Sequence, residues 1–387
     1  MKFNRVIKAL LKNLFIIFPI QKNKILFDNF FGKGYGDNPK YILEALNDLN
    51  DNFDFVWCLD DMKNNVPDGV RKVKIFSWQY YFECATSKVW IDNIRNNTKT
   101  KKRKKQLYIQ TWHGSVGFKA VEGEVEKSLS PKYIKAAKHD GMITNAIISI
   151  NSSADILYKN YFWLNNNCKI LKFGNPRNDL LINQAKNNNI NRKVRDQFNI
   201  NINNLLVLYA PTFRDDNSTK GYIQDFTKII ESLKRKFGKK VNVIVRFHPN
   251  IADSNYVHSF FLNNSGLDVI NGCNYSDQQE LLVASDILIS DYSSIQYDFL
   301  LLKKIVFSYM SDLEEYKKLR PLNKNINRFP FIFTHSIDDL ISKIDEFDND
   351  TYLNNVNEYF KKYPSYDKGN AAQLVAEWIV NEINKDR

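Results

Sequence analysis

The sequence predicts an α/β protein of two facing Rossmann-like domains with an interdomain cleft. Three observations carry that expectation. Strand-like and helix-like stretches alternate in two successive series, the pattern of βαβ units and parallel sheets. An asparagine-rich stretch, "NQAKNNNINRKVRDQFNININ" at residues 183–203, separates the two series. Several apolar strands end in polar clusters, and ligands of such sheets bind at the carboxyl ends of the strands.

In the first series "NKILFDNF" (23–30) reads as a buried strand, followed by the turn "FGKGYG". A helix over "DNPKYILEAL" comes next, with Asp37 or Asn38 as its cap and Pro39 in its first turn. Gly32, Gly34 and Gly36 do not have the G-x-G-x-x-G spacing of a dinucleotide loop. Further strands fit 53–59, 88–93, 107–113 and 141–148, with helices at 77–85 and 152–161. In the second series strands fit 205–212, 241–249, 267–272, 286–291 and 304–309, with helices at 223–237 and 277–284. Residues 369–384 form a last amphipathic helix. The expected domains are therefore 21–190 and 204–365, preceded by a basic amphipathic helix in 1–20 and followed by a helix in 366–387.

A chain of 387 residues has room for two cores, and 43% hydrophobic with 25% charged residues is a globular balance. Cys58, Cys84, Cys168 and Cys273 are scattered without C-x-x-C spacing. That argues against a disulfide framework or zinc site and fits a reducing compartment. The net charge of +12 calls for an anionic partner. The densest basic run, "TKTKKRKK" (98–105), is either a solvated loop or a patch for lipid phosphate or acidic polymer. No stacking aromatics or reading helix accompany it, so nucleic acid is not an expected partner.

No run of about 18 apolar residues predicts a membrane span. The first 20 residues place Phe3, Val6, Ile7, Leu10, Leu11, Leu14, Phe15 and Phe18 at helical spacing, with Lys2, Arg5, Lys8 and Lys12 on the other face. Interrupting lysines and the lack of a small-residue cleavage site argue against a signal peptide. Such a helix either lies on an anionic membrane or packs on the protein's own core.

Four strand-end clusters hold the candidate chemistry: "QTWHGS", "APTFRDD", "RFHP" and "SDYSS". His113 is one of only five histidines and sits where the chain must turn. After the strand ending at Ser290 and Asp291, Ser293 and Ser294 stand at a helix start; they either cap it or hold a phosphate there. Arg246 and His248, two apart in an extended segment, share a face and can address one diphosphate; a satisfied buried histidine is the other reading. Arg214 is a further phosphate ligand candidate, while Asp215 and Asp216 cap the next segment. Carboxylates lack metal-ligand pairing, so neither metal nor cofactor is expected. His139, His258 and His335 are read as structural.

Taken in order, "GYGDNPKYI", "QTWHGSVGFK", "GNPRNDLL", "LYAPTFRDD", "RFHPN", "SDYSSIQYDF", "SYMSDLEEY" and "YDKGNAA" resemble the CDP-glycerol:poly(glycerophosphate) glycerophosphotransferase family. The resemblance spans most of the chain. It implies a GT-B architecture, with the acceptor in the N-terminal domain and a CDP-glycerol or CDP-ribitol donor in the C-terminal one. It implies transfer of glycerol or ribitol phosphate to an undecaprenyl-linked or polymeric acceptor in teichoic-acid or capsule synthesis, releasing CMP. Peripheral attachment to the cytoplasmic face of an anionic bacterial membrane goes with that role.

By the same resemblance His113 is the general base and His248 the second essential histidine. Arg214, Arg246, Asp291, Ser293, Ser294 and Asp312 fall on the donor side; Asp37, Asn38, Lys40 and Gly114 fall on the acceptor side. The chain departs from the family where Ser115 to Lys119 replace a Thr-Pro-Leu-Lys continuation, and where Pro321 and Leu322 follow Arg320. A GT-B sugar-nucleotide glycosyltransferase or epimerase is the alternative enzyme, and a non-catalytic binder of anionic glycopolymers the alternative from another class.

Overall fold

The computed structural model describes residues 14–49, 52–96, 98–114, 119–184, 188–248, 250–252, 254–323 and 326–385. They divide into two compact units. The first holds the described residues up to His113, Val121–Asp179 and those from Ser365 on; the second holds Gly114–Ala120 and Leu180–Pro364.

The first unit is built on seven strands: β1 (Gln21–Asp28), β2 (Asp54–Leu59), β3 (Arg71–Lys74), β4 (Ser87–Asp92), β5 (Leu107–Gln110), β6 (Ala146–Ile148) and β7 (Lys169–Leu171). They run in the order β3-β2-β1-β4-β5-β6-β7, each neighbouring pair parallel. The second has β8 (Leu205–Ala210), β9 (Val241–Val245), β10 (Val269–Asn271), β11 (Ile287–Ser290), β12 (Ile305–Tyr309) and β13 (Ile332–Thr334). Its order is β10-β9-β8-β11-β12-β13, again all parallel. Every residue of β4, β8 and β9 is buried, as expected of strands covered on both faces.

The short strands β3, β7 and β13 were not expected. The predicted strand over 141–148 is also corrected, because its first three residues complete the helix Pro131–Ile143. Ser130 caps that helix by accepting from Tyr133 N, and Gly141 lets it approach the backbone; a Cβ there would lie 2.4 Å from Phe162 O. The asparagine-rich stretch contains the helix Asn188–Gln197, tied into the second unit by Lys193–Glu280 and Arg195–Asp286 ion pairs. The division between units thus falls at Asp179, earlier than the boundary at 190.

The helix Ala371–Asn384 belongs to the first unit. Val375, Ala376, Ile379 and Ile383 join Ile25, Phe27, Trp57 and Ile91 in one core. Asp179 accepts from Ala371 N at 2.9 Å and Ala372 N at 2.7 Å, capping the helix from a distant part of the chain.

Most of the expected helix in 1–20 lies outside the described residues; Phe15–Ile17 is a single 3-10 turn. The rings of Phe15 and Phe18 lean on Phe82 at 5.8 and 5.5 Å, while Leu14 and Ile17 are exposed. No helix among the described residues is long and apolar enough to cross a membrane.

The basic run is not simply a solvated face. Lys99 is buried with Nζ 2.6 Å from both oxygens of Asp92 and 3.9 Å from Asp28. Arg103 donates to Ile16 O at 2.9 Å, to Phe18 O at 2.8 Å and to Ala85 O, fastening the N-terminal segment. Replacing Lys99 by methionine leaves two buried carboxylates without their cation. Denaturant unfolding of Lys99→Met should show a loss of about 3–5 kcal/mol.

Candidate functional site

In the first unit β5 delivers the chain to Thr111 and then to a strained turn. Trp112 has φ 54°, in the left-handed region that tryptophan rarely enters. Its N–H donates to Gln110 Oε1 at 2.9 Å, and its ring packs on Phe162 at 4.8 Å. Asn38, fully buried, donates from Nδ2 to Trp112 O at 3.2 Å. The next residue, His113, therefore stands on a held backbone.

His113 Nδ1 lies 2.8 Å from Asn93 O, and its ring meets Phe30 edge-on at 5.4 Å. A carbonyl only accepts, so Nδ1 carries the proton and Nε2 of the neutral ring carries the lone pair. That is the tautomer of a general base.

Arg177 Nη1 donates to His113 O and to Asp37 Oδ1, both at 2.9 Å, while Arg177 N donates to Asn38 Oδ1 at 3.1 Å. Asp37 Oδ2 accepts from Asn93 Nδ2 at 3.1 Å. Asp37 and Asn38, expected on the acceptor side, are thus brought together with His113 as its supports. Lys40, on the same helix, places Nζ over the Tyr41 ring at 4.8 Å.

In the second unit the loops after β8, β11 and β12 meet on Arg214. This residue was expected to face phosphate, yet its side chain is 1% exposed and committed to carboxylates. Nε and Nη2 donate to Asp312 at 2.7 and 3.0 Å, and Nη1 pairs with Asp291 at 2.9 Å. Tyr222, Tyr292 and Tyr316 close over the guanidinium at 5.4, 5.0 and 4.9 Å. Burial disfavours the charge, but Asp291 and Asp312 outweigh it and raise the pKa above arginine's ordinary value. Asp291 also accepts from Thr212 N and Tyr292 N. Arg214, Asp291 and Asp312 therefore form a structural clamp.

The shared face expected for Arg246 and His248 is likewise corrected. β9 stops at Val245, so alternation no longer governs these residues. Arg246 turns to the carbonyls of Gly272 and Tyr275 at 2.9 and 2.7 Å. His248 is exposed, tilted against Phe213 at 5.6 Å, and its Nδ1 accepts from Asn250 N at 3.2 Å. An accepting Nδ1 puts the ring proton of the neutral form on Nε2. Although the residue is exposed at the surface, nearby protein displaces water from its ring; this desolvation, then Lys119 and Arg320, lowers its pKa and favours that neutral form.

Lys119 was missed as a site residue, although it closes the quoted "WHGSVGFK" motif. It bridges Leu322, Ala120 N donates to Pro321 O at 3.0 Å, and Nζ sits 5.9 Å from the Tyr316 ring. The unusual Pro321-Leu322 segment is what holds it. Burial and then Arg320 lower the Lys119 pKa to about 8. Arg320 is itself held by Asp215 at 2.6 and 2.8 Å.

Ser293 and Ser294, just past the clamp residue Asp291, are half-buried. The capping alternative finds no support at Ser294, whose side chain makes no cap hydrogen bond; Ser293 Oγ accepts from Ile295 N at 3.3 Å. A Cβ on Gly114 would lie 3.0 Å from Ser294 Oγ, so a larger residue there would push the Ser294 side chain aside. Residues 115–118 of the motif lie outside the described residues.

A family model described as CDP-Glycerol:Poly(glycerophosphate) glycerophosphotransferase matches residues 10–381. A teichoic acid poly(glycerol phosphate) polymerase of Staphylococcus epidermidis is 29% identical over 385 residues. The match covers 95% of this chain but 52% of that protein, so the chain spans about half of its length. A teichoic acid glycerol-phosphate transferase of Staphylococcus aureus is 27% identical, covering 92% of this chain and 93% of the relative. The solved structure of the wall teichoic acid polymerase TagF superimposes with a TM-score of 0.85 at 28% identity, covering 99% of this chain and 96% of that one. A UDP-GlcNAc 2-epimerase from Methanocaldococcus jannaschii, 13% identical with a TM-score of 0.54 over 92% of this chain and 99% of that one, shares the fold alone. The expected GT-B-like α/β class, with two parallel-sheet units, holds.

Proposed function

We propose, from the premise that this chain belongs to the CDP-glycerol:poly(glycerophosphate) glycerophosphotransferase family, that it transfers glycerol phosphate or ribitol phosphate from a CDP-alditol to an acceptor hydroxyl. The observation that carries the reading is the pair of opposed histidine tautomers. His113 presents a basic Nε2, whereas His248 presents an Nε2–H donor.

The acceptor oxygen attacks the phosphorus that bears the alditol. A new P–O bond forms, the P–O bond to CMP breaks, and CMP leaves with the bond's electron pair. His113 Nε2 takes the hydroxyl proton. His248 Nε2–H and the Lys119 ammonium meet the donor's phosphate oxygens, with the Ser293 and Ser294 hydroxyls as further donors. Phosphoryl transfer asks mainly for such positioning and charge stabilisation. Arg214 and Arg246 act through the backbone they hold rather than at phosphate.

The acceptor is a glycerol- or ribitol-phosphate polymer or its undecaprenyl-linked primer, handled at the cytoplasmic membrane face. Exposed Leu14, Ile17, Phe18 and Trp78 support a peripheral attachment. Ile17→Asp with Trp78→Asp should release the protein from phosphatidylglycerol vesicles in flotation; undiminished binding would count against this surface.

CMP release from CDP-glycerol and CDP-ribitol, with mass spectrometry of the products, tests the reaction. His113→Ala should lower turnover roughly 10²–10⁴-fold while donor binding persists. Near-normal turnover by a folded variant excludes His113 as base. Lys119 loses its charge as pH rises through about 8, which weakens its hold on an anionic donor. Donor kcat/KM should therefore fall above that pH, and Lys119→Arg should flatten the decline.

A further inference from the structure

The two sheets share one strand sequence up to a point. Each runs third-second-first-fourth-fifth-sixth, but the first adds β7 beside its sixth strand and the second stops at β13. Where that extra strand would lie, the second unit has an open groove of about 1000 Å³. Its strand side carries Phe329, Phe331 and Phe333; its helix side, from Asn349–Lys362, carries Tyr352 and Tyr359.

The edge is oriented for pairing. Met310 N donates to Thr334 O, so Thr334 and Ile332 turn their amide groups toward β12. Phe333, of the other parity, turns its N–H and C=O outward. One end of the groove is cationic. Arg328 stacks between Phe329 and Tyr363 at 5.1 and 5.6 Å. Its Nε is buried without an acceptor, and it makes no ion pair among the described residues. Lys343 and Lys361 in the same groove are already paired with Glu346 and Glu358.

This groove is not the donor end of the unit. Tyr352 Oη donates to Lys304 O at 2.8 Å and accepts from Val306 N at 3.1 Å, at the start of β12. His248, Ser293 and Asp312 follow the carboxyl ends of the strands instead.

We propose that the outer edge of β13 receives an extended acidic peptide as a seventh strand. Its main chain pairs with Phe333, its apolar residues lie on the phenylalanine and tyrosine walls, and a carboxylate meets Arg328. Strand addition draws affinity from main-chain hydrogen bonds and specificity from such side-chain sites. The inference is independent of the transferase reading.

The probe is a fluorescein-labelled decapeptide of alternating valine and threonine ending in two aspartates, measured by anisotropy with the full chain. Saturable binding is expected, weakened about tenfold or more by Arg328→Glu. The same peptide N-methylated at its threonines or at its valines loses binding in one of the two patterns. No saturable binding, or binding indifferent to both N-methylation patterns, overturns the proposal. Binding indifferent to Arg328→Glu overturns the carboxylate contact. Phosphatidylglycerol vesicles that bind through Arg328 while the peptide does not would make the groove a lipid site and overturn it as well. CMP release should be unchanged in Arg328→Glu.

Discussion

A guanidinium almost wholly removed from water must have its charge met inside the protein, and Arg214 shows how much structure can hang on that condition. Three loops that leave β8, β11 and β12 end on one cation through Thr212, Asp291 and Asp312. Gly221 makes the arrangement possible, since a Cβ there would fall 2.3 Å from the Asp312 carboxylate. Tyr292 and Tyr316, stacked at 3.7 Å, seal the clamp from water and strengthen it. Breaking such a cluster from one side costs about 3–5 kcal/mol, because a charge is left buried and alone. These three loops are therefore coupled to one another through a residue that touches no ligand in the proposed mechanism.

The first unit solves a similar problem around a histidine. Trp112 and Asp37 both occupy left-handed backbone, at φ 54° each, a strain of about 1–3 kcal/mol per residue. Asn38 and Arg177 hold the turn by its carbonyl oxygens, and Asn93 fixes the imidazole from the other side. Strain and tautomer are thus set by neighbours from three separate motifs. Histidine orientation of this kind is what a base needs before any substrate arrives.

Much of the fold was legible because long parallel strands buried on both faces write themselves as apolar runs. The stretches at 205–212, 241–249 and 286–291 were found with only their ends overdrawn. β3, β7 and β13 escaped because each is a short edge strand that buries a single residue, so no apolar run marks it. The candidate site was legible as positions and less so as roles. Strand-end polar clusters pointed to His113, His248, Ser293 and Ser294, but no local pattern says whether an arginine will meet phosphate or a carboxylate 98 residues away, as Arg214 does. Lys99 was hidden in a basic run for the same reason, its partner Asp92 being paired by folding rather than by spacing. Arg246 was misplaced because the two-residue alternation was carried past the end of its strand.

The helix Ala371–Asn384 completes the first unit's core, though nearly the whole second unit lies between it and that core in sequence. A ribosome therefore finishes residues 180–364 before it delivers Val375, Ile379 and Ile383. Domains generally fold as units during synthesis, at about 5–20 residues per second. The second unit has the chance to settle first, while Ile25, Phe27 and Trp57 wait with part of their cover missing. For this chain, the interval between those two events is the period in which newly made protein is most exposed to aggregation and to chaperones.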